Sequence, residues 1–172
     1  MLRRYFSKTV IMVILAVTGF YSSTQAQTAT FRTTEGQTVS LSDLRGKIVV
    51  LSFGGTWVPL ESKELPALQK ISDRYSARGV KVFWVSINSS REGAKNFSSD
   101  ANLQAFAQRS GFTQPVLRDP DQEAYKAFNL DAIPTVIIID RQGNVVKKYV
   151  GFGTDPGESY SEISKVIEQL LN

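Results

Sequence analysis

The sequence predicts an α/β protein built on one mixed β-sheet with helices on both faces. Three apolar, β-branched runs, at residues 47–53, 80–88 and 133–140, are continuous rather than alternating, as in strands covered on both sides. A helix-period segment joins the first two runs, and the chain closes strand, strand, helix, so a βαβ unit is followed by a ββα unit. No Pro/Gly-rich linker divides the chain. Its 172 residues, 42% hydrophobic and 21% charged, suffice for one core.

Each element has its own signal. The chain opens with Arg3, Arg4 and Lys8, an apolar stretch over 10–20, then Thr24 and Ala26 in a small-x-small pattern. This is the layout of a secretory signal peptide, 1–26, cut after Ala26. The apolar stretch is shorter than the ~20 residues a spanning helix needs. The alternative is an uncleaved anchor in the inner membrane, with the domain facing the periplasm. The remaining domain, 27–172, is expected in the periplasm or outside the cell.

Residues 29–41 read as a hairpin turning at Glu35-Gly36, and 42–47 as a polar helical turn ending at Gly46. After the strand at 47–53, Leu60, Leu65, Leu68, Ile71 and Tyr75 share one face of a helix over 59–77 that stops near Gly79. The strand 80–88 leads into a loop or short helix, then a helix over 101–109 closed by Gly111. A short strand at 115–117 precedes Asp119-Pro120, a capping residue before a proline at the first helical position, which starts a helix to Phe128. The strand 133–140 turns through 141–144 into an antiparallel return, and the last helix spans 158–171.

Composition excludes several functions. Removing the leader takes three of the 20 Lys+Arg, leaving 17 against 16 Asp+Glu, so the net charge falls from +4 to +1. With no basic stripe, nucleic acid is not an expected partner, and Lys147-Lys148 reads as a solvated strand edge. Cysteine and histidine are both absent. Disulfides, a leader lipid anchor and Ser-His or Cys-His catalysis are thereby excluded. A zinc or copper site is disfavoured for want of its usual ligands, and no cofactor is implied.

Four stretches in order resemble the thioredoxin superfamily, specifically the TlpA-like or redoxin branch of exported thiol-disulfide oxidoreductases. They are GKIVVLSF running into TWVPLESKELPAL, then VFWVSIN, then FTQPVLRDPDQEAYKAFNLDAIPT, then VIIIDRQGNVVKKYVGF. The resemblance covers nearly all of the expected domain. It implies a thioredoxin-like fold with an N-terminal hairpin and a helical insertion between the βαβ and ββα halves. It also implies a cis-proline loop at Ile133-Pro134, whose backbone pairs with an extended substrate peptide.

The departure lies at the reactive corner. Val58 stands where the family has its attacking cysteine, and Glu61 where it has the resolving one. Exchange needs a thiolate and a resolving thiol, so the chain's own groups cannot perform it. Gly54-Gly55 replaces a bulkier Trp-Ala pair, so the loop either tolerates small residues or opens a groove beside Trp57. With Pro59 at the first helical position, Val58 is the N-cap and Glu61 the third helical residue. There a carboxylate suits the free amides and the helix dipole, worth about 0.3–1 kcal/mol. Glu64 matches an acidic residue that the branch keeps near its active site. It reads either as a half-exposed helix glutamate or as a residual buried acid. Glu61 and Glu64, three apart on one helix face, could do acid–base work only beside a substrate pocket.

The reading is a redox-inactive exported module whose Trp57, Val58, Ile133 and Pro134 bind an extended polypeptide, possible without sulfur because strand addition uses backbone groups. The resemblance places such a module in envelope thiol-redox or cytochrome-maturation pathways. The alternatives are an oxidoreductase or peroxidase-like redoxin lacking its own cysteines, and a structural subunit of the envelope.

Overall fold

The computed structural model describes residues 28–151 and 156–172, so the expected leader at 1–26 lies outside the described residues. The elements are β1 (Thr30–Thr33), β2 (Thr38–Ser40), β3 (Ile48–Gly54), α1 (Glu61–Tyr75), β4 (Val80–Ser86), α2 (Asp100–Arg109), β5 (Val116–Arg118), α3 (Glu123–Ala127), β6 (Thr135–Ile139), β7 (Val145–Val150) and α4 (Pro156–Leu171). The strands form one mixed sheet in the order β2-β1-β5-β4-β3-β6-β7. β3, β4 and β5 run parallel, whereas β6 pairs antiparallel with both β3 and β7.

The continuous apolar strands are buried on both faces, as their composition requires. Alternation along β3 and β4 sends Ile48, Val50, Val82 and Trp84 to a cluster shared with Leu65, Leu68 and Ile71 of α1, Leu103 of α2 and Ile163 of α4. The intervening residues Val49, Leu51, Phe53, Phe83 and Val85 join Phe31, Leu117, Ala124 of α3 and Phe128 on the other face. The two outer strands cover the edges, and β7 is largely exposed, including Lys147 and Lys148. Among the described residues no helix is long and apolar enough to cross a membrane.

All four helix starts differ from the sequence-based expectation, α2 and α4 only by beginning one and two residues earlier, and the other two for a physical reason. α1 begins at Glu61 with Leu60 as its N-cap, so Val58 is not the cap and Glu61 is the first helical residue. The reason is two successive turns: the Val58 N–H donates to the Gly55 carbonyl at 2.9 Å, and the Glu61 N–H to the Val58 carbonyl at 3.1 Å. Pro59 belongs to the second turn. Likewise α3 begins at Glu123, because Pro120 sits in a turn closed by the Gln122 N–H on the Asp119 carbonyl at 3.0 Å. Asp119 still caps, accepting from the Ala124 and Tyr125 amides at 3.2 and 2.8 Å. The segment after β4 is a loop closed by a bridge between Ser89 and Phe97.

The parallel strands β3, β4 and β5 all finish at one end of the sheet, and β6 starts there. The loops 55–60, 87–99, 119–122 and 129–134 therefore gather at that end, the usual place for a site in an open α/β sheet.

Candidate functional site

β3 leaves the sheet where β6 enters it. Phe53 pairs with Thr135, so one step further along the register Gly54 lies beside Pro134. The Ile133–Pro134 peptide is cis. Trp57 is the exposed member of the corner at 47% relative exposure, Val58 and Ile133 are half-buried, and Pro134 is buried. The Pro134 carbonyl is held by the Gly151 N–H at 2.8 Å, and the Thr135 hydroxyl donates to the Ala132 carbonyl at 2.8 Å. The four residues expected at a binding surface thus lie on the two loops that flank adjacent strands.

Under this corner lies a pair of buried carboxyl groups. Glu61 and Glu64 are both 0% exposed, which settles the question left open for Glu64 and overturns the expectation that Glu61 serves the helix's own amides. Glu61 Oε1 instead accepts from the Gly55 N–H at 3.1 Å, and Glu64 Oε1 accepts from the Ser52 hydroxyl. The other oxygen of each carboxyl has no hydrogen-bond partner among the described residues, nor has the Trp84 indole N–H. Burial pushes the Glu61 pKa well above the ordinary carboxylate value, and the nearby Glu64 raises it further; the Gly55 amide and the Trp84 side chain oppose this only in part. Glu64 is pushed up to about 7, again by burial, against the lowering effect of Ser52. In this medium a charged carboxylate without a cation is unfavourable, so both groups favour the protonated form well above the pH at which an exposed carboxyl ionises.

The Gly54-Gly55 pair is neither slack nor a groove. A Cβ on Gly54 would lie 1.4 Å from Glu61 Oε1, so the carboxyl occupies the space a side chain would take. A Cβ on Gly55 would lie 2.4 Å from the Trp57 ring, which covers that residue. Since both carboxyls are sealed from solvent, the acid–base work conceivable for an accessible pair has no route to a substrate here.

Asn88, which carried no special expectation, organises the rest. It is buried, and its Nδ2 donates to Thr56 Oγ1 at 2.9 Å and to the Asn96 carbonyl at 3.1 Å. Its Oδ1 accepts from the Thr56 N–H at 3.1 Å and the Ser86 hydroxyl at 3.0 Å. One amide therefore ties the 55–60 loop to the 87–99 loop, and the exposed aromatics Trp57 and Phe97 each follow a residue that it holds. Buried Arg118 anchors the same loop by donating to the Ser98 carbonyl at 2.9 Å and pairing with Asp100 at 3.1 Å. Ser52 and Asn88 were visible in the sequence only as polar residues within or just after apolar runs.

Residues 23–148 match the AhpC/TSA family. Among curated proteins, thiol-disulfide oxidoreductase ResA of Halalkalibacterium halodurans is 30% identical over 132 residues, covering 76% of this chain and 70% of the relative. ResA of Bacillus subtilis is 31% identical over 122 residues, covering 71% of this chain but only 63% of its own length, less than two thirds. The crystal structure of a Chlorobium tepidum protein assigned as thiol:disulfide interchange protein DsbE superposes with a TM-score of 0.71 at 24% identity, covering 86% of this chain and 95% of the other. The fold is thioredoxin-like, as the motif order implied.

Proposed function

We propose a function from one premise: this chain belongs to the AhpC/TSA family, as a relative of the thiol-disulfide oxidoreductases, and it contains no cysteine. The protein acts as a redox-inactive module that binds an extended polypeptide at the Trp57–Val58 and Ile133–Pro134 corner. The observation that carries this is Trp57, left 47% exposed at the end of the sheet where β3 and β6 part. A large aromatic held over glycine at such a corner offers apolar contact area at little cost in side-chain freedom, and backbone groups of the proline loop supply register. Thiol exchange and thiol-dependent peroxide reduction both fail for want of a reacting sulfur. An exported setting, through the leader expected at 1–26, fits relatives whose names describe disulfide chemistry, and an accessory role beside a thiol-bearing enzyme follows from that setting.

Fluorescence anisotropy with a carboxymethylated, permanently unfolded polypeptide tests the reading. Saturable binding is expected, weakened at least tenfold by Trp57→Ala combined with Ile133→Asp, while insulin reduction stays at the buffer rate. Equal binding by wild type and variant, or insulin turnover by the purified chain, would overturn it.

A further inference from the structure

The buried carboxyl pair is a cluster of titratable groups that the binding function does not use, and its two members are not equivalent. Glu64 lies one turn inside α1 and is fastened to Ser52 of β3. Glu61 is the first residue of the helix, its neighbours Ser62 and Lys63 are exposed, and its carboxyl fills the side-chain space missing at Gly54. It accepts from the Gly55 amide, at the root of the loop bearing Trp57 and Val58.

We infer that the uncharged Glu61 carboxyl is a latch on the 55–60 loop, and that loss of a proton from the Glu61–Glu64 pair opens it, freeing Trp57 and Val58. As control of the binding corner this rests on the proposed function; as a conformational device it stands alone. The groups facing the pair are Ser52 and Gly54 of β3, the Gly55 amide just after it, Trp84 of β4, and each carboxyl of α1. None of these is a cation. An added negative charge on Glu61 would have only two neutral donors to meet it, the Gly55 amide and the Trp84 side chain. Glu64 cannot leave without moving the helix. Glu61 reaches water if the two turns over 55–60 open and the first helical turn shifts, which breaks the Gly55 bond and lifts the ring from Gly55.

The chain's two tryptophans make the test direct. In 5-fluorotryptophan-labelled full-length protein, with Trp57→Phe used to assign the two 19F signals, the Trp57 resonance is expected to shift in one step with a midpoint above pH 6. Exchange protection of the Gly55 amide falls at least tenfold over the same range. Glu61→Gln, which still accepts from Gly55, holds Trp57 at its low-pH position throughout. Glu64→Gln moves the midpoint down by removing the neighbouring charge. Affinity for the unfolded polypeptide changes at least fivefold between pH 6 and 8.5 in wild type and less than twofold in Glu61→Gln. A Trp57 resonance and Gly55 amide that stay flat over pH 5–9 in the folded wild-type chain would overturn the latch, as would a step unchanged in Glu61→Gln. Those two readouts need no partner: a clear step without polypeptide binding removes the binding function and keeps the latch, and the reverse pattern does the opposite.

Discussion

Gly54 and Glu61 share one volume, and that makes them a single unit despite lying on a strand and a helix. Adding a methyl group at 54 places it 1.4 Å from Glu61 Oε1, so the carboxyl must leave or the backbone must move. Overpacking of this kind costs about 1–3 kcal/mol. Once Glu61 is truncated the notch is vacant, and the same methyl group fits. A urea-denaturation cycle of Gly54→Ala, Glu61→Ala and the double variant should therefore show a favourable coupling of at least about 1 kcal/mol. Additive effects would mean that the two positions do not compete for space. Gly55→Ala is the informative contrast: it meets the ring of Trp57, whose exposed side chain can swing aside, so stability should change little. The sequence placed Val58, Glu61 and Glu64 at the corner, but burial of the acids was not legible. A helix starting at Pro59 turns Glu61 toward its own amides. Two extra turns delay the start to Glu61, and that change of phase points the carboxyl at Gly54 instead.

At the scale of elements, what holds the site together is a single buried amide between loops. The Asn88 side-chain amide satisfies its hydrogen-bonding groups across Thr56, Ser86 and Asn96, so Asn88→Ala leaves the Thr56 amide to find a new partner, while the Asn96 carbonyl keeps the Ser89 N–H. The expected loss is about 1–3 kcal/mol. Its location should be specific: hydrogen exchange ought to accelerate across 55–60 and 89–98, while β6 and α4 keep the protection set by global unfolding. Uniform acceleration everywhere would mean that Asn88 supports the core rather than clasping two loops. Long elements were the legible ones. β3, β4 and β6 announce themselves as β-branched runs too apolar to be covered on one face only, and α1 by its Leu65, Leu68, Ile71 and Tyr75 stripe. Short elements were less so, because one motif served two purposes. Asp119-Pro120 reads as a helix start, yet the proline closes a turn while the aspartate reaches past it to cap α3. The clasp itself left no pattern, since a hydrogen bond between residues 32 apart has no sequence period.

The molecule as a whole has an unusually simple titration between pH 5 and 8. With no histidine and no cysteine, the groups that ordinarily change charge in that range are missing, apart from the chain's terminal amine. Exposed Glu162 and half-buried Glu168 are held below the ordinary value by Lys165 and Arg78, so any stability they add is lost only as pH falls below 4.5. Tyr75, Tyr125 and Tyr149 are raised by burial from 10.0 and act in the alkaline range. Among the described residues the window is left to Glu61 and Glu64, whose folded-state values are raised, which for an acid reverses the common sign. Unfolded, both lose their protons near 4.5; folded, Glu64 keeps its proton to about 7 and Glu61 is likewise held well above the ordinary value by burial. Between these limits the native state binds more protons than the unfolded one, so stability falls as pH rises and levels off only above the folded values. Thermal unfolding should thus show a melting temperature that drops between pH 5 and pH 8. The double variant Glu61→Gln, Glu64→Gln, uncharged at every pH, should match wild type near pH 5 and exceed it by several degrees at pH 8. A wild-type melting temperature that is level or rising over that interval, or a double variant that gains nothing at the higher pH, would mean that the corner does not rest on buried neutral acids.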